Sequence, residues 1–432
     1  MTLTAYTRSA FLQSLTWLPL AAAQAAPLPE PLTLEAALET AANPTHFDMI
    51  RLDQQLLALR AELGIEQGEY GFSIDLKGRL REVGSSDAAL PGDDEGDNAA
   101  SLIVSKPLYD FGLQKSRETY LTLQLQALEQ QKHLIIERRR LDIMQRYFAV
   151  LNADNDFVSE NEALAIGFIR YDNALEDQEL GLVPEIEVLR LQSEYELIRQ
   201  QRSQAMQRQR STRALLAETM GYPDQLSSDL EIPRIDLERR LPEDFEALVG
   251  QALSHSPEAR LAGAKARAAQ AAIGIAESFN NASLDLELEV SSYERDSRLR
   301  DDWRASLYLE IPIYSAAASD KVDLAQAKHR LALGDEQQSR SQLRLEVLEL
   351  WQKIQQLRLK LQGHAIEQDY RDRYLDRSRA EYELEFKSDL GDSMVLYSRS
   401  NGRRLQTLYA FELAFQRLAT LVGSEFLSHS SH

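Results

Sequence analysis

The chain has 432 residues, 44% of them hydrophobic, and a formal net charge of -20. Cysteine is absent, which excludes disulfides, thiolate zinc sites, a thiol nucleophile and a lipid-modified N-terminal cysteine. So acidic a balance lacks the basic footprint of a nucleic-acid binder. The run Arg138-Arg139-Arg140 reads as a solvated helix face with neighbouring carboxylates.

At the N-terminus, Arg8 precedes an apolar stretch from Ala10 to Ala23, followed by Ala23-Gln24-Ala25. This is the pattern of a signal peptide spanning 1–25. Pro27, Pro29 and Pro31 then break any helix. No later segment offers the ~20 consecutive apolar residues of a membrane-spanning helix. Export, to the periplasm, the exterior or the outer membrane, is the expectation.

The rest of the chain repeats one plan twice. The first repeat, 26–221, runs as a short helix with an Asn43-Pro44 step, a second helix, a hairpin over 72–109, a long helix over 113–180 and a returning helix over 185–220. A Pro- and charge-rich linker follows at 222–244. The second repeat, 245–423, has a Ser256-Pro257 step, a hairpin over 283–314, a long helix over 320–386 and a returning helix over 392–422. The remaining 424–432 read as a disordered tail. A helix from Leu113 to Leu180 would be roughly 100 Å long. Leu343, Val347, Leu350, Ile354, Leu357 and Leu361 alternate steps of four and three, a coiled-coil seam. Leu345, Leu348 and Leu359 form a second, offset set, which suggests neighbours on two sides.

Four segments alternate with period two. Phe72, Ile74, Leu76 and Leu80 alternate with Ser73, Asp75, Lys77 and Arg79. Leu284 to Val290 alternates with Asp285, Glu287 and Glu289; Leu307 to Ile313 alternates with Ser306, Tyr308 and Glu310. Leu102, Val104 and Leu108 do so more loosely. Strands of ~9–11 residues with one apolar and one polar face suit a water-filled barrel in lipid. Two hairpins cannot close a barrel, so a symmetric ring of copies is expected. Asp75, Lys77, Arg79, Asp285, Glu287, Glu289 and Glu310 are then the candidate pore-lining residues. Their acidic excess predicts a preference for cations.

The duplicated plan, the strand-end prolines Pro107 and Pro312, the phrase Pro107-Leu108-Tyr109-Asp110-Phe111-Gly112 and the Gly181–Leu189 stretch resemble the TolC-like outer-membrane efflux proteins. The resemblance covers about Leu34 to Gly423. It implies a mainly α fold with a membrane β-barrel portion. In that arrangement a homotrimer sets a twelve-stranded barrel in outer-membrane lipid above a periplasmic helical tunnel, with an equatorial element near 222–244. It further implies a periplasmic adaptor, an inner-membrane pump and export of drugs, metals or proteins. The family's tip is a helical iris, ringed in some members by aspartates. Here Lys387 replaces the usual glycine, and the expected acid positions fall near Ser393 and Leu396. The nearest acids, Asp389 and Asp392, with Glu185 and Glu187 in the first repeat, are the gate candidates. Each also suits a helix N-terminus through the macrodipole.

No phosphate loop, dinucleotide fingerprint, zinc-protease motif or nucleophile elbow occurs. No enzyme activity, metal or cofactor is expected. The competing reading is a periplasmic structural or adaptor coiled-coil protein with a soluble sheet.

Overall fold

A computed structural model describes residues 28–83, 95–225, 228–242, 244–294, 300–384 and 389–423. The signal peptide, the tail, much of both hairpin loops and the Lys387-Ser388 step lie outside the described residues. The described residues are mostly helical, with a four-stranded sheet and a two-stranded one.

Each repeat begins with a short element capped by a polar side chain. In α1 (Leu34–Glu39) the Thr33 hydroxyl accepts from the Ala36 N–H, and a 3-10 turn, Thr40–Ala42, follows. In α5 (Phe245–His255) the Asp244 carboxylate accepts from Glu246 and Ala247. The second helices are α2 (Phe47–Glu69) and α6 (Pro257–Ser278), the latter opening with Pro257 behind the Ser256 cap. The long helices are α3 (Leu113–Glu179, 67 residues) and α7 (Ala318–Glu383, 66 residues), each roughly 100 Å. The returning helices are α4 (Glu185–Met220) and α8 (Leu390–Val422). Gly181 and Gly221, both at positive φ, end α3 and α4.

The helices pack side by side as a wall. Its upper half runs α2, α3, α6, α7; its lower half runs α4, α3, α8, α7. The long helices therefore serve both halves, while their partners change at mid-length. Leu343, Val347, Ile354, Leu357 and Leu361 are buried in the seam of α7, with Leu350 packed beside them.

The strands are β1 (Ser73–Arg79), β2 (Glu82–Val83), β3 (Glu95–Gly96), β4 (Ala99–Tyr109), β5 (Ser283–Tyr293) and β6 (Trp303–Glu310). They number 7, 2, 2, 11, 11 and 8 residues. Two of the main strands are thus shorter than the expected span. The main sheet is antiparallel in the order β1-β4-β5-β6. The β4–β5 pairing joins the hairpin of one repeat to that of the other.

The waist lies where the wall changes partners. Leu32 forms a parallel bridge to Leu230, with the Leu32 N–H donating to Asp229 and the Glu231 N–H donating to Leu32, both at 2.9 Å. The buried Tyr147 hydroxyl lies 2.7 Å from the Leu32 carbonyl and 2.6 Å from that of Glu231, sharing one proton between them. Here the solvated reading of the arginine run is corrected. Arg139 is only 6% exposed. Its Nε donates to the Ala41 carbonyl at 2.8 Å and its Nη2 to the Thr219 carbonyl at 3.1 Å. One guanidinium thus satisfies the last carbonyls of two helical segments. Beside it, burial and then the Arg139 charge push the His46 pKa down. The His46 Nδ1 accepts from the Asp48 N–H.

Arg139→Met should cost about 2–3 kcal/mol, because two buried carbonyls lose a charged donor. The exposed neighbour Arg138→Met should stay within ~0.5 kcal/mol. Denaturant melts of the two variants compare them directly; equal losses would remove the staple role of Arg139.

Candidate functional site

Two regions gather the sequence-predicted residues: one face of the sheet and the far end of the helical wall. The sheet's faces follow from the register, since directly paired residues share a side. Asp75 pairs with Ile103, Ile103 with Glu289 and Glu289 with Arg304. Lys77 pairs with Ser101, and Ser101 with Ser291. Arg79 pairs with Ala99, and Ala99 with Tyr293. Asp285 lies opposite Tyr308, Glu287 opposite Ser306, and Glu310 opposite Ser283. All seven pore candidates therefore share one face. The other face carries Ile74, Leu76, Leu102, Val104, Leu288, Val290, Trp303 and Leu307. This apolar face is not packed on the helices: Leu76 is 77% exposed and Trp303 71%.

On the polar face, several charges are already matched. Glu289 hydrogen-bonds Arg304 and accepts from Ser291 Oγ at 2.8 Å, and Ser291 meets Ser101 at 2.7 Å. Tyr308 donates to Glu287 at 3.5 Å. Arg79 is an ion-pair partner of Asp97 at 3.6 Å, together with Arg81 at 3.4 Å and Arg300 at 2.6 Å. The Arg300 guanidinium also lies over the Tyr293 ring. Sequence reasoning missed Asp97, Arg81, Arg300 and Arg304. Arg304 alone had a signal, since it continues the Ser306-Tyr308-Glu310 alternation by one step. Ile103 is the apolar exception on this face and is buried between its neighbours.

Where the sheet meets the wall, Asp110 accepts from the Gly112 N–H at 3.1 Å and from the Gln114 N–H and the Tyr70 hydroxyl. One carboxylate thus caps α3 and ties it to the end of α2. Phe111 and Gly112 both take positive φ to make the turn. Asn281, after α6, donates to the Phe111 carbonyl at 2.7 Å. The phrase singled out in the sequence is therefore a junction that gathers α2, α3 and α6.

At the far end, the gate candidates behave differently from one another. Glu187 is bound by Arg190 of its own helix. Asp392 pairs with Arg170 of α3 at 2.6 Å. Glu185 and Asp389 are exposed at helix starts. Ser393 is buried, its hydroxyl 2.8 Å from that of Ser378 and donating to the Asp389 carbonyl. The register that Ser393 occupies thus faces α7 and is closed to an acid ring. Two glycines let α8 approach α3 closely. A Cβ at Gly391 would meet Ile166 at 2.7 Å, and one at Gly402 would meet Asn155 at 2.5 Å. Arg399 and Glu160 add an ion pair at 3.1 Å, and Ser159 and Ser398 a hydroxyl pair at 2.8 Å.

No protein-family model matches the chain, and no curated protein matches it. Solved structures do. The chain is similar to CusC, in structures concerned with conformational changes accompanying folding and transmembrane channel formation, at 17% identity and a TM-score of 0.73 over 90% of this chain and 92% of that one. The Campylobacter jejuni CmeC outer membrane channel matches at 15% identity and 0.72, over 92% and 89%. The Vibrio cholerae outer membrane protein VceC matches at 16% identity and 0.69, over 92% and 95%. The chain therefore has the fold of the TolC-like outer-membrane channels along nearly its whole length.

The Glu367–Arg403 pair clamps α7 to α8 above this end. The Arg403 hydrogen bond holds the Glu367 carboxyl below the usual carboxylate range. A depressed folded-state pKa gives stability that is present above the unfolded value and lost as pH falls through the folded one. Glu367→Gln should therefore cost about 0.5 kcal/mol at pH 7. Its deficit should close below about pH 4. Melting of both proteins from pH 7 to pH 3 checks this; a deficit unchanged by pH would refute it.

Proposed function

We propose that the chain is the outer-membrane channel of a tripartite efflux or type I secretion system. It passively conducts substrates delivered by a periplasmic adaptor and an inner-membrane pump. The observation that carries this reading is the four-stranded sheet with an exposed apolar face, set at one end of a helical wall roughly 100 Å long. A soluble periplasmic coiled-coil protein would pack that face on its own helices.

Aromatic side chains support the placement in lipid. Phe72, Tyr109, Phe111 and Tyr314 are exposed at the helix-side ends of the strands, and Trp303 at the opposite end. Such girdles mark membrane interfaces. Among the described residues no helix is long and apolar enough to cross a membrane, so the sheet is the spanning element in this reading. Its edge strands β1 and β6 need partners in lipid. Three copies of four strands close a twelve-stranded barrel.

The helical wall has matching open edges. Leu324, Leu331, Leu345, Leu359 and Ile366 recur in multiples of seven along α7 and are exposed. On the other edge, α2 exposes Phe47, Ile50 and Leu57 at heptad steps. In a homotrimer each α7 edge lies against the α2 and α4 edge of the next copy. The seven charged residues of the polar face then line the pore, with an acidic excess that favours cations. The α3–α8 contact through Gly391, Asp392 and Arg170 sets the closure of the periplasmic end, with Glu185, Glu187 and Asp389 at its rim. The work of transport comes from the pump, and this chain needs no catalytic group.

Two experiments follow. Fractionated cells should hold a heat-resistant trimer in the outer membrane, and its planar-bilayer currents should reverse toward cation selectivity in a salt gradient. A soluble monomer sinks the channel, whereas anion preference sinks only the acidic-pore assignment. Second, Gly391→Leu should force α8 away from α3 and raise single-channel conductance severalfold. Unchanged conductance would show that closure does not depend on this contact.

A further inference from the structure

The upper half of the wall holds a cavity of about 410 Å³ whose walls come from four helices. Its floor is made by Ala268, Ala269 and Ala272 of α6 with Ala127 and Leu128 of α3. Leu59 of α2 closes one side, and Lys265 and Lys328 stand on α6 and α7 at the other. Gln124 and Gln131 supply amides between them. The cavity therefore spans four helices that are successive neighbours in the upper half of the wall.

The chemistry of this cavity differs from that of its surroundings. The chain carries 68 acidic and 48 basic residues, yet no carboxylate lines the cavity. Among the described residues neither lysine has an ion-pair partner, whereas arginines along both long helices are paired repeatedly. Alanines leave the floor open, since a methyl group fills little of the space between α3 and α6. The volume falls within the ~300–1,000 Å³ range of small-molecule sites. Its lining joins an apolar floor to unmatched positive charge.

We propose that this cavity is a lumenal binding site for organic anions with an apolar body, a station on the export path. The body rests on the alanine floor, and the carboxylate or sulfonate meets Lys265 and Lys328. The inference rests on the channel reading, which supplies a lumen for this cavity to open into. It names a substrate class that the acidic polar face of the sheet does not suggest, and so divides the conduit into a segment that collects anions and a segment that repels them.

The full-length protein in amphipol is titrated with 8-anilinonaphthalene-1-sulfonate, and in parallel with rhodamine 6G as a cationic dye of comparable apolar body. Lys265→Gln combined with Lys328→Gln should weaken the sulfonate about tenfold, as the charge contacts of two exposed lysines are lost, and leave the cation unchanged. Ala272→Phe, with both lysines kept, should remove sulfonate binding by filling the floor. Sulfonate affinity unaffected by the lysine changes overturns the proposal, as does an equal response of both dyes. Planar-bilayer conductance of the same samples separates the two readings. Conductance without lysine-dependent binding leaves a channel and removes the site. Lysine-dependent binding without conductance keeps an anion site on the wall and removes the conduit.

Discussion

An antiparallel sheet with one apolar face and two unpaired edges poses a problem that a single chain of this kind cannot solve. Among the described residues, β1 and β6 each have one edge with no strand beside it, and in lipid each unpaired backbone group costs several kcal/mol. Water would satisfy the edges but would then wet Leu76, Trp303 and Leu307. In the proposed channel, closure by further copies would satisfy edge and face together. The wall beneath obeys the same constraint, since the heptad rows on α2 and α7 are open on matching sides. In the proposed ring, a single rotation axis would complete sheet and wall at once.

The waist follows from the way the repeats share their long helices. Above it α3 packs against α2 and α6; below it against α4 and α8. Where one pair of partners ends and the other begins, helix termini accumulate in the middle of the wall with unmatched carbonyls. Arg139 answers this by donating to the ends of the first 3-10 turn and of α4. Tyr147 does the equivalent for the segment that bridges the repeats. In the second repeat, Arg239 binds Glu412 and lies over the Phe415 ring, fastening the same linker to α8. The belt at 222–244 is therefore held by cations and a phenol at a place where the helical wall alone would leave polar groups exposed to apolar neighbours.

Much of this was legible in the sequence, because its strongest signals are periodic. Alternation at Asp285-Leu286-Glu287-Leu288-Glu289 sorts two faces without knowledge of any partner, and the 3-4 spacing at Leu343 to Leu361 sorts a helix in the same way. What stayed hidden depends on contacts between distant segments. The β1–β4 and β4–β5 pairings set Ile103 between Asp75 and Glu289, although these residues lie about half the chain apart. Arg139 looks like its solvated neighbours because its partners are backbone carbonyls near residues 41 and 219, and carbonyls have no sequence signature. Ser393 reads as a free tip residue until Ser378 of α7 is found against it. Gly391 and Gly402 likewise have no local reason to be glycine; Ile166 and Asn155 on α3 supply it.

The same distinction governs how charge acts in a ring. In the proposed trimer each lumenal charge would count three times, but a carboxylate bound by its own arginine would add nothing. Glu289 with Arg304, Glu187 with Arg190 and Asp392 with Arg170 contribute to rigidity more than to field. The field at any level is set by the residues left over. Among the described residues, Asp75 and Glu310 carry no ion pair on the sheet, and Lys265 and Lys328 carry none on the wall. A formal charge of -20 therefore says little about selectivity at a given depth. In the proposed channel, selectivity at each depth would be set by such local remainders, which contacts between distant segments decide.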